Sequence, residues 1–261
     1  QNIAGYVRMT LRNTQPGQRV HLQHGEALDT SGAFTVANCS GGKSPFQEIT
    51  YLCKGCETET YTPHFAVFGF RYVKIEGVED GAFTAVAVYS DNQPAGTFTC
   101  SHPLINRLVE NALWSQKGNF LEVPVDCPTR ERNAWTGDAQ IFYNTASYLF
   151  EYNTFSKKYI ADVFDWQKKD GKLPQIAPYG GVDFYMSSMD GSVGWSDVGV
   201  LIPYRQWKKY GDDTLIKKYY PNMKKYALFM INRCHKFTPL RHRVKLKGKA
   251  KKYLVNYGQS Y

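Results

Sequence analysis

Two rhythms of apolar residues divide this chain. Up to about residue 90, apolar side chains alternate with polar ones or run in short stretches. They do so at Gly5 to Leu11, Val20 to His24, Phe65 to Phe68, Phe70 to Ile75 and Phe83 to Tyr89. A period of two marks strands with one buried face. Turn-forming clusters separate them at Gln15-Pro16-Gly17, Ser40-Gly41-Gly42 and Glu79-Asp80-Gly81. Short strands at such spacing predict a β-sandwich. After Pro103 the period becomes about 3.6, and Leu104, Ile105, Leu108, Val109, Ala112 and Leu113 form the apolar stripe of a first helix. Pro103 opens it, where a missing N–H is tolerated. Further helices are expected near 138–152, 154–169, 196–210 and 213–234. The polar, Gly- and Pro-containing segment Ser90 to Gly96 is the expected boundary. The chain therefore reads as multidomain β + α, with a β-sandwich over 1–96 and a helical domain over 97–261.

The densest chemistry lies at the start of the helical half. Residues 126 to 138 contain Asp126, Glu131 and Asp138, together with Arg130, Arg132 and Trp135. Pro124 and Pro128 lack backbone donors and fix φ, so the first part is a bent loop. A helix can begin only at Thr136-Gly137-Asp138, capped by the hydroxyl or the carboxylate. Carboxylates on a loop beside an aromatic platform suit cleavage of a glycosidic bond. That reaction needs a proton donor for the leaving oxygen and a second group on the opposite ring face. Neighbouring carboxylates would help Glu131 keep a proton, whereas Arg130 and Arg132 oppose it; the sequence leaves both influences open. Asp126 and Asp138 suit acceptance of hydrogen bonds from ring hydroxyls, and Trp135 suits packing against a sugar C–H face.

These residues resemble a family. Asp126-Cys127-Pro128-Thr129-Arg130-Glu131-Arg132, followed by Trp135-Thr136-Gly137-Asp138, is similar to the signature of the bacterial α-L-rhamnosidases, inverting enzymes of glycoside hydrolase family 78. Pro63-His64-Phe65 and Gly69 to Val73 resemble the last strands of the sandwich preceding that family's catalytic barrel. Gly194 to Asp197, Leu201-Ile202-Pro203 and Tyr210-Gly211-Asp212 resemble a later barrel segment. The likeness extends over the chain to about residue 235. It implies Glu131 as general acid, with Asp126, Arg130, Trp135, Asp138, Trp195 and Asp197 binding the sugar. It implies an (α/α)6 barrel, here incomplete, since about five helices are legible where the family barrel has twelve. The family's general base, a glutamate, is expected beyond residue 261. A truncated barrel would leave apolar helix faces exposed. The implied activity is inverting hydrolysis of terminal α-L-rhamnosyl residues from a rhamnose-containing glycoside or polysaccharide. No metal or other cofactor is expected. The alternatives are a non-catalytic rhamnose-binding or remnant module, and a different α/α-barrel glycosidase.

Charge and cysteines change little. The chain of 261 residues carries net +9, yet every Asp and Glu lies at or before Asp213, while thirteen of the 32 Lys and Arg follow it. The alternating Arg241, Arg243, Lys245, Lys247, Lys249 and Lys251 suit a polyanion or the solvated face of a strand. No nucleic-acid recognition motif accompanies them, so no such partner is expected. No apolar run approaches the ~20 residues of a membrane-spanning helix. Cys53-Lys54-Gly55-Cys56 is half a zinc spacing, with no second pair at a suitable distance. Cys127 lies inside the acidic loop, but the resemblance gives it no nucleophilic role. Unpatterned cysteines slightly favour a reducing, cytoplasmic compartment. Gly41 to Ser44 resembles the end of a phosphate-binding loop without its remainder and reads as a turn. His64, His102 and His235 have no partners at catalytic spacing, and nothing selects Asp183 or Asp190.

Overall fold

The computed structural model describes residues 1–39, 47–181 and 188–234. The readings made above for Gly41 to Ser44, Asp183, His235 and the basic tail lie outside these residues. The chain forms two compact units, one from 1–91 and 98–132, the other from 92–97 and 133 onwards.

The first unit is built on nine strands: β1 (Ile3–Arg12), β2 (Arg19–Gly25), β3 (Ala27–Leu28), β4 (Phe34–Thr35), β5 (Glu48–Leu52), β6 (Thr58–Tyr61), β7 (Phe68–Phe70), β8 (Tyr72–Glu76) and β9 (Gly81–Ala87). Strand β1 is the spine of one sheet. It pairs with β9 along one edge, and with β6 and β7 end to end along the other, all antiparallel. Strand β2 centres the second sheet between β5 and β8, while β3 and β4 form a short ribbon. Both sheets send alternate residues into one core of Val7, Met9, Leu11, Val20, Leu22, Phe68 and Phe70. Two packed antiparallel sheets with period-two burial are a sandwich, as the alternation predicted.

Three details depart from local pattern. Strand β7 is Phe68–Phe70 instead of Phe65 to Phe68, because Phe65 takes a left-handed φ of 59° that no strand accommodates. Strand β6 is too polar to stand out by alternation, and β5 alternates over only Glu48 to Tyr51, with Ile49 and Tyr51 packed on the core. The short strand β6 contains Glu59, which is buried and accepts hydrogen bonds from Thr14, from Tyr51 (2.7 Å) and from the Lys54 N–H (3.0 Å). Those donors hold its carboxyl down at about 2. Cys53 joins the core and Cys56 is exposed at the turn between these strands.

Helix α1 (Pro103–Asn119) belongs to this unit and packs on β1. The first part of its apolar stripe faces outward, with Leu104 73% and Leu108 66% exposed, while Val109, Ala112 and Leu113 are half-buried.

The second unit contains α2 (Thr136–Leu149), α3 (Asn153–Asp165), α4 (Val198–Tyr210) and α5 (Thr214–Cys234). Residues 92–97 run along the end of α2, with Ala95 N–H bonded to the Leu149 carbonyl. Tyr143, Tyr152, Tyr159, Ile160, Val163, Val198 and Ile202 are fully buried between the helices. The Ser156 hydroxyl reaches Gln206 Oε1 at 2.9 Å, tying α3 to α4. Gly211 ends α4 with φ 69°, a left-handed cap that glycine adopts without a Cβ penalty. Asp212 then caps α5 through Thr214 and pairs with Lys157 at 2.5 Å. These contacts hold its carboxyl well below the usual range. A β-sandwich followed by part of an all-α unit is the predicted fold class. Among the described residues, no helix is long and apolar enough to cross a membrane.

Candidate active site

The acidic loop divides between the two units, with Asp126, Arg130 and Glu131 in the first. Its entry is tied down by the Val125 N–H to the Asn119 carbonyl (2.8 Å) and by a bridge between Phe120 and Pro124. A turn then runs from Pro128 to Glu131, and the Glu131 N–H points at Cys127 Sγ, 3.2 Å away. Cys127 thus helps to shape the turn that presents Glu131. Thr129 is buried, and its hydroxyl donates to Glu26 Oε1 at 2.7 Å. Glu26 also accepts from Asn2 (2.8 Å) and Asn38 (3.2 Å). Gly69 of β7 lies directly beneath: a Cβ there would sit 2.5 Å from Thr129 Oγ1 and 2.9 Å from the Pro128 carbonyl carbon. The Gly69 N–H donates to Gln47 Oε1 (2.7 Å), and the Gln47 carbonyl accepts from the His24 N–H (2.9 Å). The His24 ring stacks on Phe68 at 4.5 Å, and burial pushes its imidazole down. The loop backbone is therefore anchored to the sandwich by buried groups.

The functional heads remain accessible. The Glu131 side chain is 39% exposed, with Arg130 Nη2 3.7 Å from Oε1. Arg130 is itself mostly exposed, so this contact contributes little. Asp126 is half-buried.

Trp135, Asp138, Trp195 and Asp197 belong to the second unit. Residue Trp135 is the extended N-cap of α2, bridged to Ile176 and almost fully buried. Thr136 begins the helix without capping it; its hydroxyl donates instead to the Gln175 carbonyl at 3.0 Å. Asp138 stands exposed in the first turn, where the N-terminal helix dipole favours a carboxylate. The Trp195 indole lies against Gly137, so Trp195 and Asp138 flank the same turn of α2. Gln140 Nε2 holds the Gly194 carbonyl at 3.0 Å. Asp197 accepts from the Gly194 N–H (2.8 Å) at one oxygen and from the Tyr226 hydroxyl (2.8 Å) at the other. Behind this loop, Gln175 contacts Met189, Asp190 and Ser192. Burial raises the Asp190 carboxyl, although Lys168 lies 3.5 Å away.

Sequence reasoning missed Glu26 and Gln47 in the first unit and Tyr226 in the second, because nothing local marks them. Gly69, Thr129 and Gly137 lay within the motif segments, but no supporting role was read for them. Among the described residues, no group of three or more His, Cys, Asp or Glu is placed to hold a metal ion.

Residues 93–250 match the bacterial alpha-L-rhamnosidase 6 hairpin glycosidase domain, and residues 1–90 match the bacterial alpha-L-rhamnosidase concanavalin-like domain. An alpha-L-rhamnosidase of Streptomyces avermitilis is 35% identical over 228 residues, covering 85% of this chain and 21% of that protein. One from Formosa agariphila is 32% identical over 243 residues, covering 89% and 25%. The crystal structure of the Streptomyces avermitilis enzyme complexed with L-rhamnose superposes with a TM-score of 0.82 at 33% identity, covering 89% of this chain and 22% of that one. The Dictyoglumus thermophilum alpha-L-rhamnosidase gives 0.79 at 31%, covering 88% and 26%. This chain spans about a quarter or less of the length of these relatives. With both domain models matched in order, the chain belongs to the bacterial α-L-rhamnosidase family.

Proposed function

We propose that this chain supplies the acid-donating and sugar-binding portion of an inverting α-L-rhamnosidase. Its substrate is the terminal α-L-rhamnosyl residue of a glycoside or polysaccharide. The Glu131 carboxyl gives its proton to the glycosidic oxygen as the bond to the anomeric carbon breaks, and the electron pair of that bond stays on the departing oxygen. A water adds to the opposite face of the sugar and loses its proton to a second carboxylate, a residue other than those named here. Inversion requires the two carboxyls roughly 6.5–9.5 Å apart, leaving room for that water. Asp126, Arg130, Asp138 and Asp197 hold sugar hydroxyls, while Trp135 and Trp195 shape the apolar wall. Sugar binding displaces water from the half-open Glu131 and supplies the desolvation a proton donor needs.

The observation that carries this reading is the anchored turn of Glu131. Buried Thr129 and Gly69, with half-buried Glu26, hold the backbone while the carboxyl head is left accessible. An anchored backbone under an accessible carboxyl is what accurate placement of a proton donor requires. The test is Glu131→Gln in the full protein. Turnover of an aryl α-L-rhamnoside should fall by about 10²–10⁴, the usual contribution of general acid catalysis. Competitive inhibition by free L-rhamnose should be retained. Unchanged turnover refutes the assignment, and rhamnose binding without any hydrolysis by the unmutated protein points to a binding module.

A further inference from the structure

We propose that the free edge of β9 joins two copies of this chain by antiparallel strand pairing centred on Thr84. Strand β9 (Gly81–Ala87) is bonded to β1 along one side and has no strand along the other among the described residues. Two bonds fix which of its residues face β1: the Arg12 N–H to the Asp80 carbonyl (3.1 Å) and the Val88 N–H to the Ala4 carbonyl (2.8 Å). Bonding residues alternate along an antiparallel ladder. Ala82, Thr84 and Val86 therefore bond to β1, while Phe83, Ala85 and Ala87 direct their N–H and C=O groups away from it. Gly5 agrees, since a Cβ there would fall on the Val86 carbonyl oxygen.

Three observations identify the partner. The edge is unguarded. Sheet edges are normally blunted by shortness, proline or charge. Strand β7 has three residues, β5 carries Glu48, β6 carries Glu59, and β8 carries Lys74 and Glu76. Strand β9 has seven residues with neither charge nor proline. Next, the sandwich is open here. Ala85 lies opposite the core residue Val7, so its side chain takes the inner face, yet it is exposed, and Phe83 is only half-buried. A further strand covers both. Finally, β9 is complementary to itself. A two-fold axis through Thr84 sets Phe83 against the partner's Ala85 and Gly81 against the partner's Ala87, so outward backbone groups pair and large meets small. On the outer face Thr84 meets its own equivalent, a favoured cross-strand pair. Asp80, bridged to Arg12 at 3.0 Å, falls beside the partner's Val88 and not beside an acid. The exposed Arg8, opposite Thr84 on β1, stands three strand spacings from its equivalent, about 14 Å, where salt screens the repulsion. This pairing consumes both free edges, so the assembly closes as a dimer.

The test is sedimentation of the full protein from about 1 to about 100 µM, read beside amide hydrogen exchange. A monomer–dimer equilibrium is expected within that range. Ala85→Pro deletes an N–H that makes no bond inside the fold, so it should weaken the dimer at least about tenfold at unchanged Tm. Thr84→Lys changes an exposed side chain and sets two like charges directly opposite each other. It should weaken the dimer as much, and it decides the matter if the proline variant melts early. The Phe83 and Ala87 amides should be protected at high concentration and exchange quickly on dilution, while those of Thr84 and Val86 stay protected throughout. The proposal is overturned by a protein that is monomeric over the whole range, or by a dimer indifferent to both substitutions. Open-ended growth with concentration overturns the closed register, and fast exchange at Phe83 and Ala87 in a dimer places its interface elsewhere.

Discussion

The indole of Trp195 rests on the bare backbone of Gly137. A methyl group added there would lie 2.9 Å from three of its ring atoms. One residue further along the same turn stands Asp138. The missing side chain at Gly137 thus decides where a tryptophan sits beside a carboxylate at the start of α2. On the proposed reading, Gly137→Ala displaces the indole from the sugar. Alanine favours a helix interior over glycine by about 1 kcal/mol, which offsets part of an overpacking cost of about 1–3 kcal/mol. The expected outcome is a Tm lowered by only a few degrees with rhamnose affinity reduced about tenfold. Calorimetric titration with L-rhamnose checks it, and undiminished affinity removes Trp195 from the site.

Thr129 is expected to govern the Glu131 turn through Glu26. Thr129→Val keeps the shape and deletes the 2.7 Å bond to the carboxylate. Hydrogen bonds to charged groups contribute about 1.5–3 kcal/mol, so chemical denaturation should show a loss of that order. A turn displaced by ~1 Å can cost about 10² in rate, so kcat should fall more than rhamnose affinity. A stability loss with kcat intact would make Thr129 a purely structural residue.

The Tyr226 hydroxyl and Asp197 test a different point. Tyr226→Phe removes one of the two donors to that carboxylate while leaving the Gly194 N–H in place. A loss of about 1 kcal/mol of stability is expected from the half-buried carboxylate left short of a donor. Burial and the Asp197 charge hold the Tyr226 phenol far above its ordinary value. The phenol should therefore stay un-ionised in an ultraviolet titration through pH 11. Ionisation at pH 10, its ordinary value, would place it in open solvent.

Acid should weaken the sandwich in two stages. Burial lowers the His24 imidazole below its ordinary 6.5, so the unfolded chain takes up that proton first. Stability therefore falls as pH drops below about 6.5. Glu59 is lowered from 4.5 to about 2, so its contribution is complete above 4.5 and is lost as pH falls towards 2. Glu59→Gln should lower Tm at neutral pH and flatten its dependence between pH 4.5 and 2. A variant whose melting curve keeps the steep acid limb would show that another carboxylate dominates.

Residue patterns with a reach of about four positions were legible without coordinates. Alternation along Gly5 to Leu11 and the 3.6-residue stripe after Pro103 announced strand and helix, because period follows from backbone geometry alone. The prolines of the acidic loop excluded helix, and the start of α2 at Thr136 followed. The capping residue did not follow, because the Thr136 hydroxyl is taken by the carbonyl of Gln175, 39 positions away.

The order of a sandwich before helices, the bent acidic loop and the chemical character of its side chains were therefore properties of the amino-acid sequence by itself. Tertiary structure decided which partners those side chains meet. Glu26 and Thr129 are 103 positions apart, and Asp197 and Tyr226 are 29 apart. It also decided that α1 joins the sandwich unit while Leu104 and Leu108 face outward, and that Phe65 leaves the strand that alternation assigned to it. The physical reason is range. Backbone period and capping depend on neighbours within a helical turn, whereas burial and hydrogen-bond pairing depend on which distant surfaces have complementary volume and donors.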